Sequence, residues 1–213
     1  MKTNKLRYSF LLAFLCAFIF VACSTHKDKE NSFSFAPLST SANSEASILN
    51  IAIQKTKFDI STSSPSASDT KTQSKDSKQK VTLIYYMPSE CLSCASSLVH
   101  LDTLSKNVPL LDIKVVASSK LKAALQDDYT GKLPIYIDTS SEDLEAKTKE
   151  SSSKKPLEKK DFINVLGTNL GIEIKPDEPF FVLLDKEHQA VKSYEGIILE
   201  ENLELDSRAL VAR

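Results

Sequence analysis

The stretch Val81-Thr82-Leu83-Ile84-Tyr85-Tyr86-Met87-Pro88-Ser89-Glu90-Cys91-Leu92-Ser93-Cys94 decides the fold. Its first seven residues are β-branched, aromatic or otherwise apolar and are bounded by Lys80 and Pro88, which predicts a buried strand. Ser89 then offers a helix N-cap, and Cys94, Leu98 and Leu101 recur at spacings of four and three on one helical face. That helix must end before Pro109, and Leu111 to Ala117 reads as a second strand. Strand, helix and strand form a βαβ unit that crosses over right-handed with its strands parallel. The two cysteines therefore mark the junction of strand and helix. Cys91 lies beside unpaired backbone amides that favour a thiolate, and Cys94, a turn further in, faces the core as the natural resolving thiol.

Downstream, Lys120 to Gln126 predicts a short helix and Leu133 to Ile137 a further strand. The Ser- and Lys-rich stretch from Thr139 to Lys160 reads as an exposed insertion with some helical content, Glu142, Asp143 and Glu145 marking a helix start. Phe162 to Leu166 is a short helix broken by Gly167 and Gly171. Pro179 to Asp185 and Ala190 to Leu199 are paired strands around the turn Lys186 to Gln189, and a brief closing helix follows Leu205.

Upstream, Lys2, Lys5 and Arg7 precede an uncharged apolar run from Phe10 to Cys23, which reads as an export signal too short to span a bilayer. Its end, Phe20-Val21-Ala22-Cys23, resembles the bacterial lipobox, which implies a signal peptide over residues 1–22 and lipid attachment at Cys23. Multiple acyl chains would hold the protein stably on a membrane. Residues 23–80 are dominated by Ser, Thr, Lys, Asn and Gln and read as a disordered tether, within which Ile48 to Ile53 and Phe58 to Ile60 are apolar enough to form a short strand or hairpin leaning on the domain. Protease should release a folded fragment starting near Lys80. Without Lys2, Lys5 and Arg7 the chain has 24 basic against 28 acidic residues, a net charge of -4 that gives no nucleic-acid footprint.

Cys16 leaves with the signal and Cys23 is lipidated, so the mature chain keeps one thiol pair. In an oxidising compartment, cysteines three positions apart are a disulfide or a catalytic dithiol, and so short a loop gives little entropic stabilisation as a staple. Zinc would need four ligands. His100 lies about 240° around the helix from Cys94, His188 falls in the far hairpin turn, and His26 is in the tether. No metal and no organic cofactor is therefore expected.

The segment Tyr86 to Cys94 resembles the active-site segment of the thioredoxin superfamily. Glu178-Pro179-Phe180-Phe181-Val182-Leu183-Leu184-Asp185 is similar to that family's element in which a cis-proline starts the antiparallel strand beside the disulfide. The resemblance covers Val81 to about Glu204. In layout it is nearest to membrane-tethered extracytoplasmic reductases, including those of cytochrome c maturation. It implies an α/β thioredoxin-like fold over residues 81–213, a central mixed sheet flanked by helices. It also implies a cis Pro179, and client backbone received at Pro179 and Glu178. There is no Trp, and the first strand carries no Asp or Glu in place of the buried acid of many members, so proton transfer at Cys94 would fall to Glu90, Glu178 or water.

The sequence thus describes a lipid-anchored thiol-disulfide oxidoreductase in the bacterial periplasmic space, acting on client protein thiols or disulfides through Cys91 and Cys94. Leu92 and Ser93 supply no positive charge, and Glu90 and Glu178 would oppose a thiolate, which favours a reductant. The rival readings are a redox-silent scaffold of the same fold and a copper carrier.

Overall fold

The computed structural model describes residues 31–38, 47–63, 80–91, 94–140, 161–175 and 177–213. The segment read as a signal peptide, Cys23, the stretch 64–79, Leu92, Ser93 and residues 141–160 of the expected insertion lie outside the described residues. The described strands are β1 (Asn31–Pro37), β2 (Ile48–Gln54), β3 (Lys57–Ser63), β4 (Val81–Met87), β5 (Leu111–Ser118), β6 (Ile135–Asp138), β7 (Phe180–Leu184) and β8 (Ala190–Glu195). The α-helices are α1 (Cys94–Asn107), α2 (Lys122–Asp128), α3 (Phe162–Leu170) and α4 (Glu200–Val211).

These strands form one sheet in the order β3-β2-β1-β6-β5-β4-β7-β8. β4, β5 and β6 are parallel, as a βαβ crossover requires, and every other neighbouring pair is antiparallel. All seven residues of β4 are buried, because a central strand covered on both faces has no solvent side to mark with polar residues. One face carries Leu83, Tyr85 and Met87 against Cys94, Leu98, Leu101 and Leu104 of α1 and Leu203 of α4. The other carries Ile84 and Tyr86 against Phe162, Val165 and Leu166 of α3 and against Phe35, Leu49, Ile51, Ile53 and Phe58.

Those last five side chains correct the reading of residues 23–80 as a tether: residues 31–37 are a strand, and the hairpin read at Ile48 to Ile53 and Phe58 to Ile60 is present over residues 48–54 and 57–63 as part of the sheet. The physical reason is period-two alternation, with Leu49, Ile51 and Ile53 buried while Asn50 stays on the outer face. On that face Ser34 Oγ donates to Asn50 Oδ1 at 2.6 Å, and Asn50 Nδ2 donates to Ser63 Oγ at 3.2 Å, so the polar residues tie the three strands together. Phe162 meets Phe33 and Phe35 edge to face, at ring separations of 5.2 and 5.0 Å. The β2–β3 turn then clasps the β7–β8 turn: Phe58 N–H donates to the His188 carbonyl at 2.9 Å and Ala190 N–H to the Thr56 carbonyl at 2.7 Å. The meander is thereby fastened over the α3 face of the sheet.

Three smaller boundaries also move. Gly167 lies inside α3 rather than ending it, and a side chain there would come within 2.8 Å of the Ile172 carbonyl, so the residue serves close approach. Gly171, at φ 69°, is the break. The final strand stops at Glu195 before Gly196, and α4 runs 12 residues, longer than a brief closing helix, because Leu203 and Ser207 give it a buried face.

Candidate active site

Parallel strands in an α/β sheet present their carboxyl ends along one edge, where crossover loops leave room for chemistry. β4 delivers Met87 to that edge, a turn through Pro88 and Ser89 follows with Cys91 N–H donating to the Pro88 carbonyl at 3.2 Å, and α1 begins its described course at Cys94. Ser89 is in the turn, and the residues between Cys91 and α1 lie outside those described. Cys91 and Cys94 are joined in a disulfide with Cα atoms 5.5 Å apart. Cys94 has no exposure, and Cys91 is buried too, at 4%, rather than standing open to solvent at the helix start.

β7 approaches from the opposite direction. Phe180 pairs with Tyr86, so one further step of the register places Pro179 beside Met87 at the disulfide edge. The expected cis bond is not found: no described peptide is cis, and Glu178–Pro179 is trans. Trans is the intrinsically favoured state of an X-Pro bond, and the Pro179 carbonyl is engaged by Gly196 N–H at 2.9 Å. Glu178 lies beside this proline, but its Oε1 takes a 2.9 Å ion pair from Lys175 Nζ. Glu90 is exposed. The pairing of Glu178 offsets one of the two charges expected to oppose a thiolate.

A CxxC disulfide at the junction of a buried strand and a helix stands in a βαβ unit, and an antiparallel hairpin and a last helix complete the domain. The fold is thioredoxin-like. No family model matches the sequence, and no curated protein does. Among solved structures the chain is similar to the pneumococcal exposed lipoprotein thioredoxin Etrx1 from Streptococcus pneumoniae, with 20% identity, 63% of this chain and 88% of that chain covered, and a TM-score of 0.44. It is also similar to a thiol-disulfide isomerase from Corynebacterium glutamicum (13% identity, 63% and 82% covered, TM-score 0.45). StoA from Bacillus subtilis is a third (15% identity, 60% and 81% covered, TM-score 0.39).

Sequence reasoning missed two polar groups in this thioredoxin-like domain. Tyr85 is wholly buried on the cysteine face, and its hydroxyl donates to the Cys94 carbonyl at 3.0 Å. Burial pushes its phenol pKa far up, so it stays neutral. Asp138 ends β6 on the opposite face, buried beside Tyr86, to which it is hydrogen-bonded. Its Oδ1 accepts the Ser140 N–H at 2.9 Å, and Ser140 Oγ donates to Asp161, the N-cap of α3, at 3.2 Å. An acidic residue closing the otherwise apolar run Ile135-Tyr136-Ile137 was the available signal. His100 Nδ1 lies 3.2 Å from Glu200 Oε2, joining α1 to α4, and His188 occupies the β7–β8 turn. Among the described residues no three His, Cys, Asp or Glu side chains gather as a metal site.

Asp138 gives a pH prediction. Burial raises its carboxyl pKa, with the Asp161 charge adding to the effect. The native state therefore holds the proton more tightly than the unfolded chain. Its contribution to stability falls as pH rises from the unfolded value of about 3.9 through the raised native value, then levels off. Asp138→Asn keeps an acceptor for Tyr86 and Ser140 but removes the charge. Denaturant titrations at several pH values should show the wild type losing stability relative to this variant across that window. A wild-type advantage that grows with pH would contradict the assignment.

Proposed function

We propose that this domain is a lipid-anchored thiol-disulfide oxidoreductase on the extracytoplasmic side of a bacterial membrane, working as a reductant of client protein disulfides. The observation that carries the reading is the Cys91–Cys94 disulfide at the strand–helix junction on the carboxyl edge of the sheet. In the reduced protein, the Cys91 thiolate attacks one sulfur of a client disulfide, and the client's S–S bond breaks as a mixed disulfide forms. Cys94, losing its proton, attacks the Cys91 sulfur and releases the second client thiol. The client gains two electrons and two protons, and this protein is left as the disulfide. A dithiol donor must then reduce it again.

Client backbone would lie along Pro179 and Glu178, with exposed Glu90 exchanging protons between the thiols and water. Ile197 and Leu199, 78% and 68% exposed, follow Gly196, whose N–H holds the Pro179 carbonyl, and would give a client at Pro179 apolar ground. The reductant assignment now rests chiefly on burial. The two cysteines belong to an apolar cluster with Tyr85, Met87, Leu98 and Phe181, and desolvation disfavours a thiolate. Strong oxidants of this chemistry stabilise their reduced form by holding a low-pKa thiolate.

Equilibration with glutathione buffers tests the reading. The midpoint should lie nearer the roughly -270 mV of thioredoxin than the roughly -120 mV of the strong periplasmic oxidant. A midpoint above about -180 mV would mark an oxidase or isomerase instead. The anchor is tested separately: Cys23→Ala should lose the detergent-phase partition of the mature chain or remain uncleaved, and an unchanged detergent fraction would remove it. Among the described residues no helix is long and apolar enough to cross a membrane.

A further inference from the structure

Tyr85 projects from β4 toward the cysteine face, with its ring stacked on Phe181 of β7 at 4.6 Å and 22°. The two are register partners, so the ring is held from the side by the sheet itself. Its hydroxyl reaches the first turn of α1, where it donates to the Cys94 carbonyl at 3.0 Å and is hydrogen-bonded to the Ser97 side chain. The residue has no solvent exposure. A phenylalanine would fill nearly the same space, so packing alone does not account for the hydroxyl. A buried hydroxyl without a partner is costly, so it stays satisfied only while the first turn of α1 keeps its present height above β4. The turn and the hydroxyl therefore fix one another.

The bond is seen with the disulfide closed. When the disulfide opens, the two sulfurs must separate to non-bonded distance, and whatever part of that separation the Cys94 backbone takes up stretches or breaks this contact. We infer that Tyr85 is a positioning residue for the redox pair, its hydroxyl holding Cys94 where the Cys91 sulfur is reached and thereby favouring the disulfide over the dithiol. The inference deepens the oxidoreductase reading and rests on it. Because the phenol stays neutral, the hydroxyl supplies position rather than a titrating charge, and its effect is the same across the neutral pH range.

The experiment is redox equilibration of the full mature chain and its Tyr85→Phe variant in glutathione buffers at pH 6, 7 and 8. Loss of one hydrogen bond should shift the dithiol–disulfide equilibrium about three- to tenfold toward the dithiol. That is a midpoint roughly 14 to 30 mV more positive, at ~29.6 mV per tenfold for two electrons, and equal at the three pH values. A Tyr85→Phe equilibrium constant within a factor of about 1.5 of wild type, in a wild-type protein that does equilibrate, would make Tyr85 a packing residue only and overturn the inference while leaving the oxidoreductase reading intact. A wild type that never exchanges with glutathione sinks both. A shift that grows or vanishes with pH would show that Tyr85 acts through a titrating group, and also overturns it. Should Tyr85→Phe fail to fold by near-ultraviolet circular dichroism, 3-fluorotyrosine at position 85 decides. It keeps the ring and strengthens the donor, so a midpoint shifted to more negative values supports the inference and an unshifted one rejects it.

Discussion

Cys91→Ser should lower exchange with a model disulfide by about three orders of magnitude or more, because a hydroxyl in place of the attacking thiolate leaves no nucleophile at neutral pH. Cys94→Ser should behave differently. Its Cys91 still attacks, so a stoichiometric mixed disulfide with the client accumulates and is not resolved. The asymmetry follows from order along the chain, since Cys94 lies within α1 with its carbonyl held by Tyr85, whereas Cys91 precedes the helix. Mass spectrometry of the trapped species locates the bond. A mixed disulfide at Cys94 in the Cys91→Ser variant, with none at Cys91 in its counterpart, would reverse the two roles.

A fragment beginning at Lys80 should fail to fold, contrary to what the composition of the preceding segment suggests. It would lack Phe35, Leu49, Ile51, Ile53 and Phe58, five side chains that are at most 1% exposed. At roughly 1.5 to 3 kcal/mol for each, about 7 to 15 kcal/mol of burial would be lost, as much as the net stability of an ordinary domain. Removal would also expose Phe162 and Tyr86 and leave β6 as an open edge. Circular dichroism and a urea melt of residues 80–213 should show no cooperative transition, whereas a chain starting at residue 24 should melt in one step. A cooperative transition in the shorter chain with an unchanged midpoint would mean that the meander is an appendage.

What was legible in the sequence follows from how strongly each feature depends on local pattern. β4, α1 and β5 announced themselves through a continuous apolar run, a helical spacing that includes Cys94, and Pro109. The alternation in β2 was visible too, but the Ser- and Thr-rich sequence around it gave the segment the composition of a linker, and the buried Leu49, Ile51 and Ile53, the cross-strand bonds from Asn50 and the clasp at His188 show that it is structured. The end of β8 was overrun because Ile197 to Leu199 continue the apolar pattern although Ile197 and Leu199 are largely exposed. Nothing local to Glu178 and Pro179 encodes the isomer of their bond or the ion pair with Lys175. Tyr85 and Asp138 are ordinary strand residues in one dimension. Their roles depend on which face of the sheet they enter and on what waits there.

The central claim is that Cys91 and Cys94 form a reactive pair with unequal duties, and timed alkylation of the reduced native protein tests it most directly. With iodoacetamide from pH 5 to 10 and peptide mass spectrometry, Cys91 should be modified first, along a single thiol titration, while Cys94 stays protected until the fold is lost. Two thiols that remain unmodified until the protein unfolds would contradict the account and leave a redox-silent scaffold in its place.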